Sequence, residues 1–250
     1  MTAMKLICPV RPGDHNEELR YAARSWETNL HLGVGGWDEP ELWTVGYRPS
    51  WLAPDCHIDG NRHRSVALAV WDNVWLAAKA LCDFGFGDEE VLWMNDDFFC
   101  LDPTGAVLPV RRNATLAEHI AQFPDNAGIW WPRSLKLTHD WLVEEGDPCP
   151  LSYEVHRPLP ARPAQMLEAL DKWGWPEGHR GPGPVDMVPQ WRSIYGNVFQ
   201  VAAYPVQDVK LGLSSTGEGS PWVSTSDQNW RRYARTMQRR FQKPSCWEKP

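Results

Sequence analysis

The sequence contains no apolar run long enough to cross a membrane, although 42% of its 250 residues are hydrophobic. A membrane-spanning helix needs about 18 or more consecutive apolar residues. The apolar part of the first eight residues is also too short for the central region of a signal peptide. We therefore expect a chain without a membrane span.

Cysteine pairs and an excess of positive charge are missing as well. None of the six cysteines belongs to a C-x-x-C pair, and several lie in apolar segments, where cysteine packs as a small hydrophobic residue. We therefore expect no cysteine zinc site, and a reducing, cytoplasmic location is the simpler interpretation. The net charge of -7 disfavours a nucleic-acid-binding protein, which normally presents a basic face.

The glycine-rich phosphate motifs are also missing. Neither G-x-G-x-x-G nor a Walker sequence occurs, so dinucleotide-binding and P-loop proteins lack their motif here. The composition instead stands out for 16 tryptophans. A tryptophan side chain combines a flat apolar face with one N–H donor, which suits stacking on a sugar ring and packing in a core equally well.

The most informative stretch is a short apolar run followed directly by polar residues. Val91–Met94 has the length and bulk of a buried strand, and Asn95, Asp96 and Asp97 come at its carboxyl end. Adjacent carboxylates at such a position are unfavourable unless a cation or hydrogen-bond donors meet them. A divalent ion shared with a substrate diphosphate fits this pattern, although Asn-Asp-Asp also suits an ordinary turn.

The first hundred residues alternate between strand and helix patterns. Lys5–Val10, Glu41–Gly46 and Val91–Met94 are predicted strands, and helical spacing of apolar residues separates them. This alternation predicts an α/β domain with a parallel sheet covered by helices. Arg11 lies in the loop between the first strand and its helix, where an arginine and a helix N-terminus both favour phosphate.

The pattern changes after Asp97. It predicts a hairpin of Phe98–Leu101 with Ala106–Val110, a strand at Gly128–Trp131, and a strand at Leu151–Val155 that ends at His156. Trp175–Pro189 is rich in glycine and proline without periodicity, and we interpret it as a loop or a lid.

Four short segments carry a resemblance to the Stealth family of capsular-polysaccharide sugar-phosphotransferases, and they occur in the order of that family. Asn16–Ser25 resembles the family's E-L-R-Y-S-L-R-S stretch, and Asn95–Phe99 resembles its N-D-D signature. Tyr153–Pro158 is similar to its histidine segment, and Pro244–Glu248 is similar to its closing P-S-x-F-E. Together they cover about a fifth of the chain. The family's Y-T-W-V-D-G segment has no counterpart, because this chain has only Cys8–Pro12 there.

The resemblance implies a GT-A-like, Rossmann-like mixed sheet flanked by helices, with a C-terminal helical part. It implies a transferase that uses Mg²⁺ or Mn²⁺ and a nucleotide-sugar donor, with a glycan or protein as acceptor. Together with the residue patterns, it assigns metal binding to Asp96 and Asp97, and catalysis to Asp97, His156 and Arg192. The expected donor-binding residues are Pro9, Val10, Arg11, Asn16, Arg20, Asn95 and Asn197.

Several alternatives remain at this stage. The transferred group is either a sugar or a sugar 1-phosphate, and the chain would form one domain with a nucleotide-sugar half at 1–112 and an acceptor half at 113–250. A non-catalytic carbohydrate-binding protein with tryptophan platforms is a second class of function. A metal-dependent hydrolase is a weaker third.

Overall fold

The computed structural model describes residues 3–13, 15–30, 40–60, 66–103, 110–123, 130–174, 187–206, 208–211 and 220–249. The strands are β1 (Lys5–Val10), β2 (Glu41–Gly46), β3 (Cys56–Asp59), β4 (Val91–Trp93), β5 (Phe98–Cys100), β6 (Arg111–Arg112), β7 (Leu159–Ala161), β8 (Tyr204–Pro205) and β9 (Trp222–Ser224). The helices are α1 (Glu17–Leu30), α2 (Val66–Asp83), α3 (Leu116–Ala121), α4 (Trp130–Glu144), α5 (Pro163–Trp173), α6 (Trp191–Val198) and α7 (Asp227–Arg240).

A five-stranded, mostly parallel sheet forms the centre of the molecule, in the order β3-β2-β1-β4-β7. Strands β3, β2, β1 and β4 are parallel, and β7 pairs antiparallel with β4. The expected α/β class with a sheet flanked by helices is confirmed, and the arrangement is compatible with a Rossmann-like fold.

Alternation along β1 divides the core between the two faces of this sheet. Leu6 and Cys8 belong to a cluster with α1 residues such as Trp26, whereas Ile7 belongs to a cluster with α2 residues such as Trp71. Successive side chains of a strand point to opposite faces, so a continuous apolar run is buried on both of them. This is why β1 and β4 read as unbroken apolar segments.

The strand order reverses between β1 and β4. The chain passes from β1 to β2 and β3 on one side, and then crosses by way of α2 to β4 on the other side of β1. Ligands of open α/β sheets bind outside the carboxyl ends of the strands at such a reversal. The loop that begins at Arg11 and the turn at Asp96 therefore meet at the position where a ligand site is expected.

Two expectations for the second part of the chain need correction. Leu151–Val155 is not a strand of the sheet: Leu151 forms only an isolated bridge with Thr115, and the strand that pairs with β4 is Leu159–Ala161. Trp130 and Trp131 begin helix α4 rather than lie in a strand. An apolar run does not reveal which run pairs with which, and that is the physical reason for both errors.

The expected hairpin and lid fall largely on residues outside the described ranges. Strand β5 pairs antiparallel with β9, more than 120 positions later. Residues 104–109 of the expected hairpin and residues 175–186 of the expected lid lie outside the described ranges. Among the described residues, none of the helices has both the length and the apolar character needed to cross a membrane.

Gly46 at the carboxyl end of β2 provides a test of this sheet edge. Its φ of +100° is unfavourable for other residues, and an added Cβ would lie 2.8 Å from the Val10 carbonyl oxygen and close to the Asn73 amide. We expect Gly46→Ala to lower the free energy of unfolding by about 2–4 kcal/mol in urea denaturation.

Gly85→Ala is the matched control for this substitution. Gly85 has a similar φ of +86°, but no atom lies within 4 Å of an added Cβ. Only the backbone strain remains there, so a loss of about 1 kcal/mol is expected. Equal losses for the two variants would show that the contact with Val10 and Asn73 does not matter.

Candidate functional site

The two aspartates that follow β4 are held by residues from distant parts of the chain. Asp97 is 8% exposed, and its Oδ2 accepts a hydrogen bond from Ser224 Oγ at 2.8 Å. Lys210 Nζ lies 3.6 Å from the same oxygen. Among the described residues, nothing donates to the buried Oδ1 of Asp97. One carboxylate oxygen therefore remains for a further donor or cation.

Arg11 joins the other aspartate to helix α1. Its Nε lies 3.2 Å from Asp96 Oδ2, and its Nη2 lies 2.9 Å from Glu18 Oε2. The amide of Asn16 donates to the Arg11 carbonyl at 3.0 Å and so fixes the loop after β1. Thr225 Oγ1 donates to Glu18 Oε1 at 2.6 Å. The loop, the acidic pair and the segment after β9 are thus connected.

His156 lies beside this group, in a chain of three contacts. Its Nδ1 is 2.6 Å from Asp208 Oδ2, and Lys210 Nζ is 3.1 Å from its Nε2. An ammonium group can only donate, so Nε2 is the acceptor and Nδ1 carries the proton that is donated to Asp208. Lys210 therefore connects His156 with Asp97.

Asp208 fixes the orientation of the His156 ring. Its Oδ1 accepts from the His156 backbone N–H at 2.9 Å, while its Oδ2 meets the ring. Burial alone would raise the pKa of Asp208, but the hydrogen bonds from the His156 ring and from the backbone N–H groups of His156 and Val209 outweigh burial and lower this pKa from 3.8 to about 2. The aspartate is therefore ionised at neutral pH.

Arg192 is a buried cation at the start of α6. It donates to Asn95 Oδ1 at 2.9 Å and to the Arg157 carbonyl at 2.7 Å. Its guanidinium also lies over the rings of Trp191 and Phe98. Burial lowers its pKa to about 10, against the opposing effect of nearby carboxylates, so the group stays charged at neutral pH.

A cavity of about 190 Å³ opens next to these groups, and Asn95, His156 and Arg192 contribute to its lining. Glu154 lines it as well, and its carboxylate accepts from the backbone and hydroxyl of Ser193 at 3.1 and 2.9 Å. Burial raises the pKa of Glu154, although the charge of Arg192 opposes this effect. The cavity therefore combines a histidine, a cation and a carboxyl group.

The site suits an anionic ligand and one divalent ion. No group of three or more His, Cys, Asp or Glu side chains in the described ranges is arranged to hold a metal. However, Mg²⁺ is often bound by one or two carboxylates together with substrate phosphates, and Asp96 and the unpaired Oδ1 of Asp97 could serve in that way. Arg11 and Lys210 supply positive charge on either side of the acidic pair.

Most sequence-predicted residues come together at this edge of the sheet. Asn95, Asp96 and Asp97 meet Arg11 and Arg192 through the contacts above. Pro9 and Val10 end β1 opposite Val45 and Gly46, and the side-chain amide of Asn16 donates to the Arg11 carbonyl in the loop that follows.

Two predicted donor-binding residues make other contacts. Arg20 lies 3.6 Å from Glu248 Oε2 and over the ring of Trp51. Asn197 donates to the carbonyls of Leu151 and Ser193, and its Oδ1 accepts from the Leu151 N–H. Its amide is thereby used within the chain, and we do not assign Asn197 a ligand.

Lys210 and Asp208 are the important residues that sequence reasoning missed. Both occur in a segment where polar residues alternate with the buried Val209 and Leu211. Two-residue alternation places Asp208 and Lys210 on one face of an extended segment, and this was the available signal. Glu18 carried a signal too, because it lies one turn before Ala22 on the buried face of α1.

The lowered pKa of Asp208 leads to a prediction about stability. Since this pKa is below 3.8 in the folded state, ionised Asp208 stabilises the fold fully above pH 4, and the effect is lost as the pH falls towards 2. We expect Asp208→Asn to lower the free energy of unfolding by about 2 kcal/mol at pH 7, measured by urea denaturation.

The difference between Asp208→Asn and wild type should shrink as the pH is lowered from 4 to 3. Asp83→Asn is the control, because Asp83 forms only an exposed pair with Lys79 on α2. Its effect should stay within about 1 kcal/mol at every pH. A deficit of Asp208→Asn that does not change with pH would contradict the role given to its ionised form.

Comparison with known proteins adds no assignment. No family model matches the chain, and no curated protein matches its sequence. The conclusions about function therefore depend on the residues and their geometry, together with the four segments that resemble the Stealth family.

Proposed function

We propose that this protein is a metal-dependent glycosyltransferase that uses a nucleotide-diphosphate-sugar donor. The observation that carries the proposal is the acidic pair at the strand reversal, with an Asp97 oxygen that has no hydrogen-bond donor among the described residues and with the cations Arg11 and Lys210 beside it. A site with only negative groups would repel a diphosphate, and a site with only positive groups would have no place for a metal ion. Both kinds of group are adjacent here, as a metal–diphosphate complex requires.

The donor diphosphate would lie between the loop after β1 and the turn after β4. Arg11 has a planar guanidinium suited to phosphate oxygens, and the N-terminus of α1 begins at Glu17 in the same region. Asp96 and Asp97 would hold Mg²⁺ or Mn²⁺, which would neutralise charge that develops on the leaving diphosphate. We assign Asn95 to the sugar, because it lines the cavity next to the acidic pair.

His156 would act on the acceptor. With Nδ1–H donated to Asp208, its Nε2 has the lone pair that a general base needs. The Lys210 ammonium donates a hydrogen bond to that lone pair, and a bound diphosphate would attract the ammonium away from it. Nε2 would then take the proton of an acceptor hydroxyl as the oxygen attacks the sugar.

The segments that resemble the Stealth family support an alternative, the transfer of a sugar 1-phosphate to a glycan or protein acceptor. The same donor would bind, but a bond at phosphorus rather than at the sugar carbon would break. The family's aspartate before its E-L-R-Y stretch has no counterpart here, and this favours glycosyl transfer in a GT-A-like fold. All six cysteines are free thiols, which agrees with a cytoplasmic enzyme.

Asp97→Asn tests the metal assignment. An amide retains an oxygen that can accept from Ser224 but loses the charge that holds a divalent ion. We expect the variant to stay folded, to lose at least tenfold in affinity for Mn²⁺ with UDP, GDP or TDP in calorimetry, and to lose most donor turnover.

Asp88→Asn is the matched control for Asp97→Asn, because Asp88 is exposed and precedes β4 at its opposite end. It should bind and turn over the donor as wild type does. If Asp97→Asn binds Mn²⁺ and nucleotide with unchanged affinity, the metal assignment is wrong.

His156→Gln tests the general base. Turnover with acceptor should fall by about two to four orders of magnitude, and affinity for the nucleotide should change little. The measurements are acceptor-dependent turnover, nucleotide affinity and melting temperature. His139→Gln is the control, because His139 contacts only its neighbour Asp140 among the contacts described for α4. Normal turnover per folded molecule in His156→Gln would show that His156 has a structural role.

A further inference from the structure

We propose that the cavity beside His156 binds a single sugar ring, which stacks on Trp130 while its hydroxyl groups meet the polar side chains of the cavity. The assignment of this ring to a substrate of the transferase rests on the proposed function. The binding of the sugar itself rests only on the cavity described below.

Aromatic side chains form much of the cavity wall. Trp71, Trp130, Trp131 and Trp191 all line it, and Val188 and Pro189 add apolar surface. Trp130 is 54% exposed and meets Trp131 edge to face, with ring centroids 5.5 Å apart. An exposed indole that is held by a second indole offers a fixed apolar face, to which the C–H face of a sugar ring binds.

The polar side chains of the cavity match hydroxyl groups better than they match an anion. Glu154 and Gln190 line it together with Asn95, His156 and Arg192, so carboxyl, amide, imidazole and guanidinium groups are all represented. Each hydroxyl of a sugar both donates and accepts, and such a mixed set satisfies several of them at once. A phosphate dianion offers only acceptors and would match only the donors of this set.

The size of the cavity separates a sugar ring from larger ligands. Its volume is about 190 Å³, whereas drug-sized ligands occupy pockets of about 300–1,000 Å³. A nucleobase would also stack on an indole, so uridine is the comparison ligand in the test. We therefore assign the cavity to one ring, of the donor sugar or of the acceptor glycan, next to the proposed base.

Saturation-transfer NMR and calorimetry on the full chain would test this assignment. The probes are glucose, galactose, mannose and N-acetylglucosamine, with uridine as the comparison. We expect at least one sugar to bind. Its affinity should fall about five- to tenfold in Trp130→Ala, whereas Trp130→Phe should retain most of the affinity. Phe84→Ala is the matched control, because Phe84 is 60% exposed and packs on Trp43.

A second measurement covers the case in which Trp130→Ala does not fold. Oxidation of Trp130 in the wild-type protein, followed by mass spectrometry, should slow when the bound sugar is present. Absence of binding by all four sugars, unchanged affinity in Trp130→Ala, or unprotected Trp130 would each overturn the assignment. Stronger binding of uridine than of every sugar would overturn it as well.

Addition of nucleotide separates this inference from the proposed function. If UDP-glucose or another nucleotide-sugar displaces the free sugar but UDP with Mn²⁺ does not, the ring is that of the donor; if neither displaces it, the ring is that of the acceptor. Sugar binding without any nucleotide binding would support the cavity assignment and reject the transferase. If the protein turns over a donor and Trp130→Ala leaves the KM unchanged, the cavity assignment is rejected while the proposed function stands.

Discussion

The need to compensate buried carboxylates at one sheet edge organises this molecule. Parallel pairing of β1 with β4 brings Arg11 and Asp96 together, and it places Asp97 where only 8% of its surface reaches solvent. A buried charge is tolerated only when charges or hydrogen-bond donors meet it. The chain supplies these from Lys210 and Ser224, and their segments are thereby fixed against the sheet.

Arg192 extends the same constraint to the aromatic cavity. It bonds to Asn95, and its charge opposes the effect of burial on the Glu154 carboxyl group. Because one buried cation contacts the end of β4 and lines the cavity, the two regions are electrostatically connected. Phosphate chemistry at the acidic pair and recognition of a sugar ring would then belong to one continuous site.

Local patterns predicted the first half of the fold well and the second half less well. Strands β1, β2 and β4 and helices α1 and α2 follow from apolar runs and helical spacing, which act over a few residues. The error at Leu151–Val155 arose because pairing is decided by distant segments. Arg20 contacts Glu248, and Asp97 contacts Lys210 and Ser224. These partners lie more than 100 positions away in the sequence, and no local pattern encodes such a contact.

The bond between Asp97 and Ser224 also has a consequence for biosynthesis, because its two residues are 127 positions apart. At about 5–20 residues per second, a ribosome needs roughly 6–25 s to proceed from one to the other. During that interval β4 has been synthesised but β9 has not. The Asp97 carboxylate therefore remains hydrated, and the backbone groups of β5 that later pair with β9 remain unpaired. A nascent chain in this state exposes Phe98 and Phe99, and it is the form that a chaperone would bind.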